Sequence, residues 1–433
     1  MLDANDHLGG RVSQVEGLAP WPIQLGPEFI HGDENNALKD LCDELGFGYR
    51  TLDWPDRYYF GGDDGVGLVD ADAADEDDPD VAETHALFAD LPGAPGDDDD
   101  DVSALTWLTE TVRASPRVVS LAESLYANDF GCSLSIMGMK ETAIEQREWR
   151  YGEKYLVLDR SLREVAEALG RDVDVRSGRR VRAVETREDA EGESSGPRVT
   201  VRVTNGESYA ARRCVMAAPI TALKPDGPTS VAFDPPLSEE KRDAIRRVKT
   251  SNAVKVLLGF DEAFWPDKLW DVVCVDCFLP ELWILDFPAR PVPKAAAEAF
   301  PPGCADRVKH VVTFFACCEL ADRLSKTPKE DIVNGALDQL DEMFGGRGEG
   351  SPSRARFVAS HVADWSSVET AGGAYTYPTL HAAGSRAALA APERDAVFFA
   401  GEATHVGVNP CMQGAMETGI RAADEVLKSL GRG

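Results

Sequence analysis

The side chain best placed to do chemistry is a lysine. Lys255 lies inside Ala253-Val-Lys-Val-Leu-Leu-Gly-Phe260, a run with no other charge. Extended backbone sends alternate residues to opposite faces. Val254, Val256, Leu258 and Phe260 therefore share one face, and Ala253, Lys255, Leu257 and Gly259 the other. Among small and apolar neighbours the amino group has room to enter a cavity, although the pattern equally suits a lysine snorkelling from a strand end. A second constellation opens the chain, Asp3-Ala-Asn-Asp-His-Leu-Gly9-Gly10-Arg11. In a dinucleotide-binding unit an acid closing the second strand holds the adenosine ribose hydroxyls. A Gly-Gly turn then admits a pyrophosphate close to the backbone, and arginine pairs with it bidentately. The single Cys-x-x-Cys, Cys274-Val-Asp-Cys277, lacks the two further ligands of a structural zinc site, since Cys317-Cys318 has the wrong spacing. We assign no metal.

The elements that must hold these groups are legible in outline. Ala396-Val-Phe-Phe-Ala400 reads as a strand stopping at Gly401-Glu402. Asn409 and Pro410 then give start signals for a helix running to about Leu430. Within it Ala415, Gly419 and Ala422 fall at i, i+4 and i+7 and leave one face almost bare. Such a face admits either another backbone or something flat. Arg180–Val184 and Arg198–Val203 read as a hairpin around a polar loop, Lys329–Met343 as a helix and Ala355–Ser360 as a strand. Helices and strands alternate throughout, so the class is α/β or α+β.

Composition narrows the functions. With 433 residues the chain has room for two or three domains. Mean hydropathy is −0.27, and no apolar run approaches the ~20 residues of a membrane span. The first residues show neither the basic nor the apolar region of a signal peptide. Net charge is −30, which argues against direct nucleic-acid binding, where Lys and Arg on phosphates dominate. Asp63–Asp101 holds 16 Asp or Glu and no Lys or Arg. We read the stretch at about 62–101 as a disordered acidic insertion, either a solubilising loop or an attractor of polycations. Nine cysteines, an odd number, suit free thiols in a reducing compartment such as the cytoplasm; the compartment itself is not encoded legibly.

Acid-Ala-x4-Gly-Gly-Arg resembles the second motif of the flavin-containing amine oxidases, the family of monoamine oxidases, polyamine oxidases and lysine-specific histone demethylases. Other stretches follow in order: Leu25-Gly-Pro-Glu28-Phe-Ile-His31-Gly32, Cys214-Val-Met-Ala-Ala-Pro219 through Leu223-Lys224, and Phe233-Asp-Pro-Pro-Leu237. Then come Lys255 through Phe264-Trp265, Gly372-Gly-Ala374-Tyr375, and Gly401-Glu402-Ala403 through Gly414-Ala415-x3-Gly419. The family's Gly-x-Gly-x-x-Gly turn, about 20 residues before the ribose acid, would fall ahead of Met1, and the expectation is an N-terminally truncated chain.

The resemblance implies a Rossmann-like FAD-binding domain, lacking its first β-strand and glycine-rich loop, interleaved with an α+β substrate domain. The implied division is 1–44, 153–247 and 372–433 for FAD against 45–152 and 248–371 for substrate. It implies oxidation of a C–N bond by hydride transfer to flavin N5, with molecular oxygen as acceptor and hydrogen peroxide as product. The substrate would be a small-molecule amine, with polyamines suiting His31 and the acidity. Implied cofactor contacts are Asp3, Gly9, Gly10, Arg11, Gly26, Pro219, Trp365, Gly401, Glu402, Met412, Gly414 and Ala415. The N-terminus of the last helix would stabilise negative charge on the reduced flavin. Lys255 would hold a water beside N5, Tyr375 would wall the amine site, and His31 would orient the amine, with Glu28 adding negative charge. Cys411, where a second wall residue is expected, is not aromatic. Ala374 stands where monoamine oxidases bond the flavin through cysteine, so FAD would be non-covalent. A related desaturase, and a non-catalytic remnant or interaction module, are the alternatives.

Overall fold

The computed structural model describes residues 1–62, 67–89, 91, 100–187, 196–225, 227–285, 300, 303–345, 350–408 and 410–432. Its largest sheet has seven strands, in the order Phe357–Asp364, Ala253–Phe260, His310–Cys317, Glu281–Ile284, Asp271–Val275, Arg57–Phe60 and Val69–Asp70. Neighbours run antiparallel except Asp271–Val275 beside Arg57–Phe60. The expected alternation at the lysine strand is realised. Val254, Val256, Leu258 and Phe260 face a core completed by Val272, Leu282, Val312 and Phe314. Helix Lys329–Phe344 closes that core with Ile332, Ala336, Leu337 and Leu340, one stripe of its surface. Each fully buried Leu, Ile or Phe here is worth about 1.5–3 kcal/mol, so this face fixes the register of the other.

A second region assembles around a parallel pair, Cys214–Met216 beside Val397–Phe399. The last helix, Met412–Ser429, lays Ala422 and Val426 on Phe398. The Thr418 hydroxyl accepts the Gly401 N–H at 2.9 Å, locking the strand end to the helix. A four-stranded sheet (Ser208–Ala211, Val199–Val203, Val181–Thr186, Ala232–Asp234) and a three-stranded one (Ile30–His31, Tyr155–Leu158, Tyr49–Leu52) complete the mixed α/β architecture.

Three readings need correction. The acidic segment is partly helical, over Ala71–Asp77 and Pro79–Ala89. Asp70 caps the first helix, Val81, Thr84 and Phe88 are buried, and Arg117 pairs with both Asp78 and Asp80. Charge density alone missed these apolar anchors. Asp97–Asp99 fall outside the described residues, while Asp101 accepts backbone N–H groups from Lys140 and His381. The last helix starts two residues later than expected, after Cys411; Asn409 lies outside the described residues. Finally, the strand expected at Ala355–Ser360 starts at Phe357, because Pro352–Arg356 forms a helical turn. All nine cysteines are free.

Candidate functional site

A cavity of about 2030 Å³ runs between the two regions, twice the upper end of the usual range for small-ligand pockets, about 1,000 Å³. One end is built from the opening turn and the last helix. Asp3, Gly9, Gly10, Arg11, Gly26, Pro219, Trp365, Gly401, Glu402, Met412 and Ala415 all line the cavity. Gly414 does not. It packs against the backbone of Val408, where a Cβ would lie 3.0 Å from the carbonyl oxygen. Of the bare helix face, Ala415 and Gly419 border the cavity while Ala422 meets the strand. Side chains added at Gly10 or Gly419 would meet open space. Gly9 and Gly10 both have positive φ, 95° and 57°, which glycine adopts without steric cost. The Asp3 carboxylate is anchored by the Asn5 N–H at 2.8 Å.

Arg11 is not a free counter-charge. It donates to Glu402 Oε1 at 2.8 Å and to the Ala374 carbonyl at 2.7 Å. Glu402 in turn accepts from the Thr376 hydroxyl, and Thr376 accepts from Arg386, which pairs with Glu141 at 3.0 Å. This buried chain ties the opening turn to the segment carrying Ala374 and Tyr375. Trp365 donates to the Leu25 carbonyl at 2.9 Å and packs where Gly26 has no side chain; a Cβ at Gly26 would overlap the Arg11 carbonyl.

At the other end, one face of the large sheet borders the cavity. Lys255 Nζ is 2.8 Å from Glu28 Oε2 and 2.7 Å from the Gly26 carbonyl, and sits over the Trp283 ring at 5.1 Å. Glu28 is thus the partner of Lys255, rather than a free negative charge at the pocket mouth. His31 lines the cavity edge-on to Tyr155, with ring centroids 4.7 Å apart. Burial pushes its pKa down to about 4, so the ring is neutral near pH 7. Tyr375 enters over Gly131, where a methyl group would overlap its ring. Cys411 also borders the cavity, beside Trp149 and Tyr151.

The sequence reading missed three carboxylates. Asp129, Asp271 and Glu281 line the same cavity. Burial raises all three, Asp129 to about 7 and Glu281 to about 8, and repulsion from neighbouring carboxylates adds to the shifts of Asp271 and Glu281. Asp271 and Glu281 stand in Asp-Val-Val-Cys-Val and Glu-Leu-Trp-Ile, the same signal of one charge in an apolar strand that singled out Lys255. The aromatic lining of Phe29, Tyr155, Trp283 and Phe315 was also unread.

The model of the family described as flavin containing amine oxidoreductase matches residues 1–427. The chain belongs to that family. Polyamine oxidase 3 of Oryza sativa subsp. japonica is 24% identical over 98% of the chain and 83% of its own length. Lysine-specific histone demethylase 1B of Mus musculus is 21% identical over 98% of the chain and 49% of its own length. In fold the chain is similar to a wild-type putrescine oxidase solved with putrescine (TM-score 0.75, 17% identity, 99% and 93% of the two chains). It also resembles cyclohexylamine oxidase from Brevibacterium oxydans IH-35A (TM-score 0.71, 21% identity, 99% and 92%). The protein is therefore an FAD-dependent oxidoreductase acting on amine CH–NH or CH–NH2 groups. The cavity suits the cofactor, since Gly10 and Gly419 open onto space that any side chain would fill.

Proposed function

We propose that this amine oxidoreductase oxidises a C–N bond of a small amine or polyamine, using O2 and releasing H2O2. For a primary amine the balance is RCH2NH2 + O2 + H2O → RCHO + NH3 + H2O2. The observation that carries the reading is one cavity lined both by Gly9-Gly10-Arg11 with the Ala415/Gly419 face and by Lys255, Tyr375 and neutral His31.

FAD, when bound, supplies the two-electron acceptor that O2 regenerates. Asp3, Gly9, Gly10, Arg11, Gly26, Pro219, Trp365, Gly401, Glu402, Met412 and Ala415 hold it, without a covalent bond, because residue 374 is alanine. We assign 1–44, 153–247 and 372–433 to this unit and 45–152 with 248–371 to the substrate unit, which contains all seven strands of the large sheet. Tyr49–Leu52, paired with Tyr155–Leu158, bridges the first boundary.

The chain's own residues do three things. Phe29, Tyr155, Phe315 and Tyr375 exclude water and orient the amine. Neutral His31 exchanges a hydrogen bond with the amine without repelling it. Lys255 has two strong bonds, and its third N–H reaches only to the Gln24 carbonyl at 3.5 Å; that proton is available to hold a water at the cavity wall. Mixing the FAD-loaded protein anaerobically with spermidine, putrescine and benzylamine should bleach the flavin with at least one of them. Admitting air should return the colour and yield one peroxide per bleaching cycle. A flavin that stays yellow with every amine refutes the reading.

A further inference from the structure

We propose that Cys274 and Cys277 form a reversible redox pair, which a peroxide closes to a disulfide and a thiol reductant reopens. The proposal goes beyond the amine-oxidase reading and stands without it. The two residues are the single Cys-x-x-Cys of the chain, and neither lines the amine cavity. Along Asp271–Val275, Asp271 borders that cavity, whereas Val272 and Cys274 face the apolar core closed by helix Lys329–Phe344. The chain turns at Asp276, whose φ is 56°, and brings Cys277 back against the same core.

The backbone holds the two sulfurs together. Their thiols hydrogen-bond each other. The first and fourth Cα atoms of a turn lie within about 7 Å, close to the ~4.4–6.8 Å that a disulfide spans. The Cys274 N–H donates to the Pro280 carbonyl at 2.7 Å. Gln339 fastens Leu279 on both sides, accepting its N–H at 2.8 Å and donating to its carbonyl at 2.9 Å. The neighbouring strand continues to Gly61, where a Cβ would lie 3.1 Å from the Cys277 sulfur. Among the described residues no further Cys, His, Asp or Glu joins the pair in a group able to hold a metal ion.

The sulfurs differ in access. Cys274 is 0% exposed, and Cys277 is partly exposed. Burial, and then the hydrogen bond to Cys277, hold the Cys274 thiol well above the ordinary range. Cys274 therefore rests protonated, and a peroxide meets Cys277 first. With hydrogen peroxide, the Cys277 sulfur attacks one oxygen and the O–O bond breaks, leaving a sulfenic acid and one water. The Cys274 sulfur then attacks the Cys277 sulfur. The S–S bond forms, the S–O bond breaks, and the departing hydroxide takes the Cys274 proton as a second water. The balance is 2 RSH + H2O2 → RSSR + 2 H2O, with two electrons passing from the sulfurs to the peroxide oxygens. Cys318, also partly exposed, is hydrogen-bonded instead to Glu319 and Ser133.

The test exposes the full-length protein to excess hydrogen peroxide, unfolds it in iodoacetamide and maps its tryptic peptides by mass. Peptide 269–294 holds Cys274, Cys277 and no other cysteine. It should lose both alkylation sites, weigh two hydrogen atoms less than the reduced peptide, and regain both sites after dithiothreitol. In Cys274→Ser the reaction should stop at a Cys277 sulfenic acid, which dimedone traps. A peptide that still takes two alkyl groups after peroxide overturns the proposal, whichever other cysteines react. A loss of thiols that dithiothreitol does not reverse also overturns it.

Discussion

Lys255 and Glu28 act as a pair, and the pair makes a discriminating prediction. Lys255→Met should slow flavin reduction or reoxidation at least about tenfold, the usual reach of a positioned proton-handling group. Stopped-flow traces of the two half-reactions show which step uses the amino group, and unchanged rates in both would remove it from the mechanism. The acidic trio gives a prediction for stability. Carboxyls whose folded pKa is raised stabilise the fold below their unfolded pKa near 4, and that stability is lost as pH rises through the folded values. With Asp129 at about 7 and Glu281 at about 8, melting temperature should fall between pH 4 and 8. Asp271, Asp56, Tyr155 and Lys255 share that environment. His31, depressed to about 4, works oppositely: its stabilisation is present above about 6.5 and is lost as pH falls towards 4. The difference between the protein and Glu281→Gln isolates the acid, and a pH-independent difference would contradict the shift. Lys255 could be read from sequence because a charge interrupts an apolar alternation. Asp271 and Glu281 carry the same mark but begin their short strands, where a charge also reads as a strand end.

At the level of elements, the bare face of Met412–Ser429 matters only where it borders the cavity. Gly419→Leu should keep the helix by circular dichroism yet lower FAD content after purification by half or more, since the added side chain enters open space. Full flavin occupancy would move the cofactor away from this helix. The chain Arg386–Thr376–Glu402–Arg11 is a different kind of element, a buried polar brace. Arg386→Met leaves Glu141 without its partner and should cost about 3–5 kcal/mol, measurable by urea unfolding. Sequence periodicity disclosed the helix and the lysine strand well. It could not disclose the brace, which joins Arg11 to Glu402 across 391 residues and Arg386 to Glu141 across 245, and whose charged members look like ordinary surface charges until the fold removes their water. The acidic helices were hidden for the converse reason: a few buried positions, Ala74, Val81 and Phe88, outweigh many solvated charges.

For the whole molecule, a net charge of −30 and an acidic cavity act on cationic substrates before contact. The screening length shrinks from about 10 Å at 0.1 M salt as ionic strength rises, so kcat/KM for a diamine should fall with added NaCl. It should fall more steeply than for a monoamine, and parallel salt slopes would assign the charge to solubility alone. The interleaving of the two regions also leaves the floor of one built on the glycines of the other. Gly131, at φ 71°, is a floor of this kind beneath Tyr375. Any attempt to widen the amine pocket therefore has an order of steps. Truncating Tyr375 first vacates the volume that forbids a methyl group at 131, after which only the backbone strain of a left-handed alanine remains. The reverse order must pass through an intermediate whose aromatic wall has nowhere to sit.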